Sequence, residues 1–360
     1  MKNWQDLLTM NPALFIKTMH IIFSEPFDSS TNHLIDWFMY YDEKFIRYNG
    51  SHDEHVKSLD LNRSKINIQF GNQNEEFTYE IDNKVISNKN IKSIFLRRPS
   101  RQTSGFHHLI KGNESPFMDY LNSKLKQNGK VLKDLMVHNF ETNSIRKVGC
   151  YRDHLNLNKP KVLLLAKKNG LLIPKTLITA DKNIVSSFLK EHNNKIICKS
   201  LEEVISFIVN KKSTGYYCTY TMLVDNMKKI NSIDFSTSLF QEYIEKDYEI
   251  RTFYHAGKFF SSAIFSQGNE KTKIDFRNYD EKKPNKMVPY QLPKNVEQNA
   301  HKLMQELALD TGSIDFLVKG EVIYFLEINP LGQYDFVSQH CNFNIDLYLA
   351  NYLIHEKEEL

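Results

Sequence analysis

The sequence predicts an α/β (α+β) protein in three parts: an N-terminal α/β domain over 1–140, a small central lid over 141–237, and a C-terminal antiparallel-sheet domain over 238–360. Three observations carry that prediction. The chain opens strand–helix–strand, its middle alternates helix and strand, and its last third holds apolar strands, two of them joined by the short hairpin Lys319-Gly320-Glu321. At 360 residues it also exceeds the length of roughly 250–300 residues at which single cores stop growing.

The first predicted strand is His20-Ile-Ile-Phe-Ser24, preceded by an extension over 1–18 with no strand pattern. Asp28-Ser-Ser-Thr31 offers capping side chains for a helix through Trp37 and Met39, after which Lys44–Tyr48 returns as a strand. Segments 64–70 and 77–81 alternate as a hairpin around Gly71-Asn-Gln-Asn74, Ser93–Leu96 is a further strand, and 115–139 reads as a helix. In the second unit Asn156–Pro160 leads into a helix over Lys161–Asn169 with Val162, Leu165 and Ala166 on its apolar face, stopped by Gly170. Leu171–Ile178 follows as an edge-type strand because it contains Pro174. A helix over 181–192 and the strand Lys195–Lys199 complete the lid, and the basic, turn-rich Lys211–Tyr216 is placed to close over phosphates. The third unit contains strands at Leu239–Tyr243, Tyr248–His255, Lys258–Phe265, Thr311–Val318 and Val322–Glu327, with a helix from Val296 to Leu307 and no internal repeat.

Composition bounds the function. Hydrophobic residues at 41% and charged residues at 25% exclude a disordered or fibrous chain. A net charge of +4 over this length, with Lys interleaved among Asp and Glu, does not indicate a nucleic-acid partner. Cys150, Cys198, Cys218 and Cys341 are scattered without a CxxC pair, which argues against a zinc cluster or a disulfide framework and for reduced thiols. No secretory pattern opens the chain, and no apolar run nears the roughly 20 residues that span a bilayer, so a cytoplasmic protein without a membrane partner is expected.

The residues that carry chemistry cluster late in the chain. Asp315 lies within an apolar strand, and Glu327 and Asn329 end the next one, two residues apart and so on one face. A short hairpin brings Asp315 opposite the Glu327 end, and three hard oxygen donors completed by water and phosphate are how Mg²⁺ is held. Carboxylates paired with lysine at a strand edge are the alternative. Gln241-Glu-Tyr-Ile244 has the shape of a hinge that presents backbone and an apolar wall to a flat base, with Glu249 placed to take ribose hydroxyls. Lys159 and Lys199 flank the lid's first strand and could neutralise phosphates, or be solvated surface. Arg251 and Arg277 stand among apolar residues and call for an anion, either a phosphate or carboxylate of a substrate or a structural partner such as Asp275 or Glu249. Arg97 and Arg98, at a strand end before Pro99, read likewise. The thirteen histidines show no ligand spacing, and no GxGxxG, P-loop or GxSxG motif is present.

In this order Lys159, Gly170–Thr176, Lys199, Gln241–Ile244, Glu249-Ile-Arg251, Asp315 and Glu327-Ile-Asn329 resemble the ATP-grasp superfamily over 156–330. Phe95–Pro99, Asp275-Phe-Arg277 and Glu327–Gln333 resemble, more narrowly, the ATP-grasp maturases of graspetides (microviridin-like, omega-ester peptides), nearest to the grasp-with-spasm type. Phe276 stands where that family often has another aromatic, and the N-terminal extension is a second departure. The resemblance implies ATP and Mg²⁺ as cofactors, with Lys159 and Lys199 on phosphates, Glu242, Tyr243 and Ile244 as the adenine hinge, and Glu249 on ribose. It places Asp315, Glu327 and Asn329 on the metal, Arg251 and Arg277 on the transferring phosphoryl group, and Arg97 and Arg98 toward an acidic peptide. The implied partner is a ribosomally made precursor peptide, leader plus core, and a homodimer is implied too. Its side-chain carboxylates would be activated as acyl-phosphates and closed into esters or amides. The competing expectations are a RimK-like ligase that adds amino acids to a protein or peptide, and a non-catalytic, nucleotide-gated peptide binder.

Overall fold

The computed structural model describes residues 19–25, 27–49, 65–71, 75–81, 84–97, 116–144, 146–149, 157–201, 208–210, 213–216, 221–231, 235–278 and 280–355. The chain forms two compact units, one of Met1–Tyr151 with Asn344–Leu360, the other of Arg152–Phe343.

In the first unit β1 (Met19–Ser24), β2 (Phe45–Asn49), β6 (Ile91–Leu96) and β7 (Arg146–Val148) make a parallel sheet in the order β2-β1-β6-β7. Every residue of β1 is buried, as expected for a parallel strand covered on both faces. The expected hairpin is present as β3 (Lys65–Phe70) and β4 (Glu75–Ile81), joined by a third antiparallel strand, β5 (Lys84–Ser87), that sequence reading passed over. Helix α1 (Ser29–Tyr40) starts at Asp28, whose Oδ1 accepts from the Thr31 amide at 2.8 Å. Helix α2 spans Pro116–Asn143.

The helix Ile345–Ile354 (α8) belongs to this unit rather than to the C-terminal domain the sequence suggested. Its buried Ile345, Leu349 and Leu353 lack a polar face broad enough for an isolated surface helix. It packs on α1 with the Trp37 indole donating to Asp346 at 2.7 Å, and Arg146 donates to the Tyr352 carbonyl at 2.6 Å.

His20 is buried in β1, with Nδ1 2.6 Å from Ser93 Oγ and Nε2 3.1 Å from Glu43. Burial lowers its pKa to about 4 despite the Glu43 carboxylate. The unfolded chain therefore binds the proton first as pH falls, and stability is lost between about 6.5 and 4, by about 3 kcal/mol in all. Urea midpoints measured at pH 7 and pH 4.5 should differ clearly in the native chain and much less in His20→Gln.

The second unit holds two principal sheets. The lid sheet runs β12-β9-β13-β8, all antiparallel, from β8 (Thr176–Thr179), β9 (Ile196–Lys199), β12 (Met222–Val224) and β13 (Ser238–Glu242). Helices α4 (Lys182–Glu191) and α5 (Met227–Asn231) cover it through Val185, Leu189 and Ile230. Because β13 lies between β8 and β9, the expected boundary at 237/238 cuts through this sheet; pairing, not composition, assigns the strand. The expected edge strand is confined to Thr176–Thr179, since Pro174 cannot donate to a ladder, and Leu172 instead bridges to Tyr324. Of the predicted basic loop, Lys211 and Lys212 lie outside the described residues, while β11 (Ser213–Tyr216) pairs with β10 (Ile208–Asn210).

The larger sheet runs β16-β15-β14-β17-β18 from β14 (Tyr248–His255), β15 (Lys258–Phe265), β16 (Lys286–Tyr290), β17 (Thr311–Lys319) and β18 (Val322–Asn329). Its alternation decides everything that follows. Ile250, Ile314, Phe316, Phe325 and Ile328 face a core closed by α3 (Lys159–Lys168) and α6 (Lys294–Glu306), and the intervening residues face the other way. Helix α3 begins two residues earlier than the sequence suggested, with Asn158 as cap and Pro160 in its first turn. Helix α7 (Asp335–Cys341) follows β18. No helix among the described residues is long and apolar enough to cross a membrane.

Candidate active site

The polar face of the large sheet and the lid sheet line a cleft. Its apolar walls come from Pro174, Ile197, Ile244, Leu317 and Leu326. Charge is concentrated at one end. Arg251, Asp315 and Glu327 lie in one row across β14, β17 and β18, because Arg251 pairs in register with Asp315 and Asp315 with Glu327.

That row depends on an irregularity in β18. From the hairpin to Phe316↔Phe325 the ladder is regular, and continued unchanged it would set Glu327 opposite Ile314 and turn it into the core. A bulge between Asp315 and Phe316 shifts the pairing by one residue, so Glu327 meets Asp315 on the cleft face and Ile328 meets Ile314 in the core. Asn329 then opposes Ser313, two residues along on the same face as Glu327, and its Oδ1 accepts from the Leu331 amide at 3.0 Å.

The buried Asp315 carboxylate accepts Arg251 Nη1 at 2.8 and 2.6 Å, so the structural partner of Arg251 is Asp315 and neither Asp275 nor Glu249. Arg251 Nε is buried with no hydrogen-bond partner among the described residues. Arg277 is held at three points by Asp275: Nε and Nη2 donate at 2.8 and 2.7 Å, and its own amide at 3.1 Å. Its remaining Nη1 reaches Glu327 at 3.2 Å. Thr221 Oγ1 donates to the same Asp275 at 3.1 Å. Lys159, at the start of α3, comes within 3.9 Å of Glu327.

These contacts set the electrostatics. Burial pushes the Asp315 carboxyl up, and the Glu327 charge adds to this against the pull of Arg251. Burial also works against the Glu327 charge, but Arg277, Lys199 and Lys159 outweigh it and hold Glu327 below the usual carboxylate range. Asp275 is likewise buried, yet Arg277 keeps it ionised down to about 2. Burial lowers the Lys199 pKa, with Arg277 and Lys159 pushing the same way. A cluster with Lys159, Lys199, Arg251 and Arg277 around three carboxylates has cationic capacity suited to a polyphosphate. Asp315, Glu327 and Asn329 supply oxygen donors of the hardness that Mg²⁺ takes, and a carboxylate already bound by arginine keeps further lone pairs. The donor chemistry therefore fits that ion.

The segment expected to form the hinge, Gln241–Ile244, also lines the cleft as the chain leaves β13. The Glu242 carboxylate accepts from the Lys175 amide at 2.8 Å, and the Glu242 amide donates to the Lys175 carbonyl at 3.0 Å, fixing the turn that presents Tyr243 and buried Ile244. Glu249 is 5% exposed, and its Oε1 accepts from Lys246 at 3.0 Å and Ser266 at 2.9 Å. Burial raises its pKa, opposed chiefly by Lys246. Lys159 and Asn329 aside, every residue expected from the sequence to touch nucleotide, metal or phosphoryl group lies in this unit's cleft or on the row that borders it.

Arg97 is different. It is buried in the first unit, and its Nε donates to Asp28, the cap of α1, at 3.0 Å. A guanidinium 4% exposed and committed to a carboxylate is a structural group, so the expectation that it meets a peptide is withdrawn. Arg98 lies outside the described residues. Sequence reading missed Lys246 and Thr221 as cleft residues. Asp275 is the partner the sequence offered for Arg277, whereas Lys246, flanked by Glu245 and Asp247, reads as an ordinary surface lysine.

The RimK-like ATP-grasp domain matches residues 157–353, more than half of the chain. The chain belongs to that family. Comparison with curated proteins finds no match. Among solved structures the chain is similar to macrocyclase MdnC of Microcystis aeruginosa bound with precursor peptide MdnA, with 21% identity, 94% and 99% of the two chains covered and a TM-score of 0.69. It is similar to a Chryseobacterium gregarium RiPP-associated ATP-grasp ligase in complex with ADP and a leader and core peptide, with 20% identity, 95% and 99% coverage and a TM-score of 0.72. A third, ATP-grasp ligase PsnB complexed with a precursor variant, Mg and ADP, shares 14% identity over 95% and 100% of the chains with a TM-score of 0.65. At these identities the likeness concerns fold, and it extends the ATP-grasp architecture over nearly the whole chain.

Proposed function

We propose that this ATP-grasp protein is an ADP-forming peptide macrocyclase. The observation that carries the reading is the row Arg251–Asp315–Glu327 with Arg277 and Lys199 in a cleft that the Glu242–Ile244 segment also lines. Adenine would lie against the hinge and the Ile197, Leu317 and Leu326 walls, with ribose at Glu249 and phosphates toward Lys199 and Lys159. Mg²⁺ held by Asp315, Glu327 and Asn329 would neutralise phosphate charge. That the acceptor is a peptide rests on similarity to ligases solved with precursor peptides; Arg98 is the arginine assigned to its acidic side chains.

In the first step a Glu or Asp side-chain carboxylate attacks the γ-phosphorus, a phosphorus–oxygen bond forms, and ADP leaves. Arg277, locked by Asp275, presents its guanidinium where charge on the transferring group develops, and Arg251 supplies a second fixed cation. In the second step a Ser or Thr hydroxyl, or a Lys amine, attacks the acyl carbon and phosphate leaves with the carboxyl oxygen. The proton of the nucleophile is released, and the peptide has lost one water. The lid sheet over the cleft serves to keep competing water from the acyl-phosphate.

Incubation with MgATP and the short peptide encoded beside the gene, followed by mass spectrometry, is expected to show loss of one water per crosslink. Gain of amino-acid residues would establish the linear RimK-like ligation instead, and unconsumed ATP with the peptide bound would establish a nucleotide-gated binder.

A further inference from the structure

Lys246 was not among the residues the sequence singled out, yet it ties two segments of the cleft lining together. It is 6% exposed, in the turn between β13 and β14. Its ammonium donates to Glu249 Oε1 at 3.0 Å and to the Ile274 carbonyl at 3.0 Å. Ile274 immediately precedes Asp275, whose carboxylate holds Arg277. One buried cation therefore touches both the carboxylate assigned to ribose and the backbone of the segment that aims the phosphoryl-transfer arginine. Four carbons of lysine buried for two contacts cost side-chain entropy and ammonium desolvation, and nothing about the local turn requires this residue type. Ser266, the other partner of Glu249 Oε1, is neutral, so Lys246 alone of these two balances the charge.

We infer that Lys246 is a positioning strut: it orients the Glu249 carboxylate toward the nucleotide ribose and at the same time pins the Ile274–Arg277 segment that carries the catalytic arginine. This rests on the reading of Glu249 as the ribose group. The strut makes nucleotide recognition and arginine placement depend on one ammonium.

The test compares the native chain, Lys246→Met and the charge-balanced pair Lys246→Met/Glu249→Gln, which avoids stranding a buried carboxylate if the single variant does not fold. Calorimetry with MgADP and with its 2′,3′-dideoxy analogue reads the first contact. The native chain is expected to prefer MgADP by roughly 10- to 100-fold, the worth of hydrogen bonds to a charged group. In both variants the preference should fall below about threefold while the dideoxy nucleotide binds nearly as before; a merely structural role would weaken both nucleotides alike. Hydrogen exchange of the peptide covering 270–278 reads the second contact and is expected to speed at least about fivefold in both variants. Preference retained in the variants, or exchange of 270–278 unchanged, overturns the strut. A native chain that does not distinguish the two nucleotides overturns the ribose reading itself, independently of what either variant does.

Discussion

Replacing Glu327 by Gln is expected to lower MgATP-dependent ADP formation by at least about a thousandfold while leaving the thermal transition within a few degrees of the native chain. Glu327 is where the cleft's charges converge. Its carboxylate meets Arg277 at 3.2 Å and Lys159 at 3.9 Å and faces Asp315 across the bulge. Losing its charge removes a proposed metal ligand and leaves Lys159, Lys199 and Arg277 with one counter-charge fewer. Gln keeps the shape, so packing around Leu326 and Ile328 should hold. The assay is ADP release at saturating ATP across a magnesium titration; a variant with native turnover and native magnesium dependence would remove Glu327 from the metal site.

The second large effect is expected at Arg277. Arg277→Lys keeps a positive charge and loses the planar fork that Asp275 grips by two parallel bonds at 2.8 and 2.7 Å. The Lys ammonium cannot be held at that angle and also reach Glu327, so it would no longer point where charge develops on the transferring phosphoryl group. Turnover should fall by about a hundred- to a thousandfold, the loss typical of removing one preorganised donor, while the Kd for MgADP changes by less than about threefold. A KM effect without a kcat effect would reassign Arg277 to ground-state nucleotide binding. Asp275→Asn should share the kcat loss, because Asp275 orients the arginine through two side-chain bonds.

The sequence carried much of this cleft and failed at identifiable places. The alternation of Ile314, Phe316 and Val318 against Ser313, Asp315 and Leu317 is visible in the chain, and it marks which residues turn from the core. The spacing of Glu327 and Asn329 likewise sets them on one face before any fold is known. Gly170 stops α3 as expected, with φ at +82°, a conformation a side chain would strain. The same reading left Arg97 open between a substrate anion and a structural partner, because a strand end before a proline shows nothing of Asp28, which is 69 positions away and pairs with it. It placed β13 in the wrong sheet because a strand's own residues do not name its neighbours.

By itself the sequence determined the α/β class, the order of the proposed nucleotide-site residues and which residues of one strand share a face. All of these follow from local order: period-two alternation, caps and turn residues act within a few positions. Only the tertiary structure decided that β18 slips by one residue and so turns Glu327 to Asp315 instead of into the core. It also decided that Arg251 closes on Asp315, and that Lys246 spans from Glu249 to the Ile274 carbonyl. Those outcomes are settled between strands and turns far apart in the chain. A buried charge is tolerable only where another segment supplies its partner, and no stretch of sequence carries both halves of that pair.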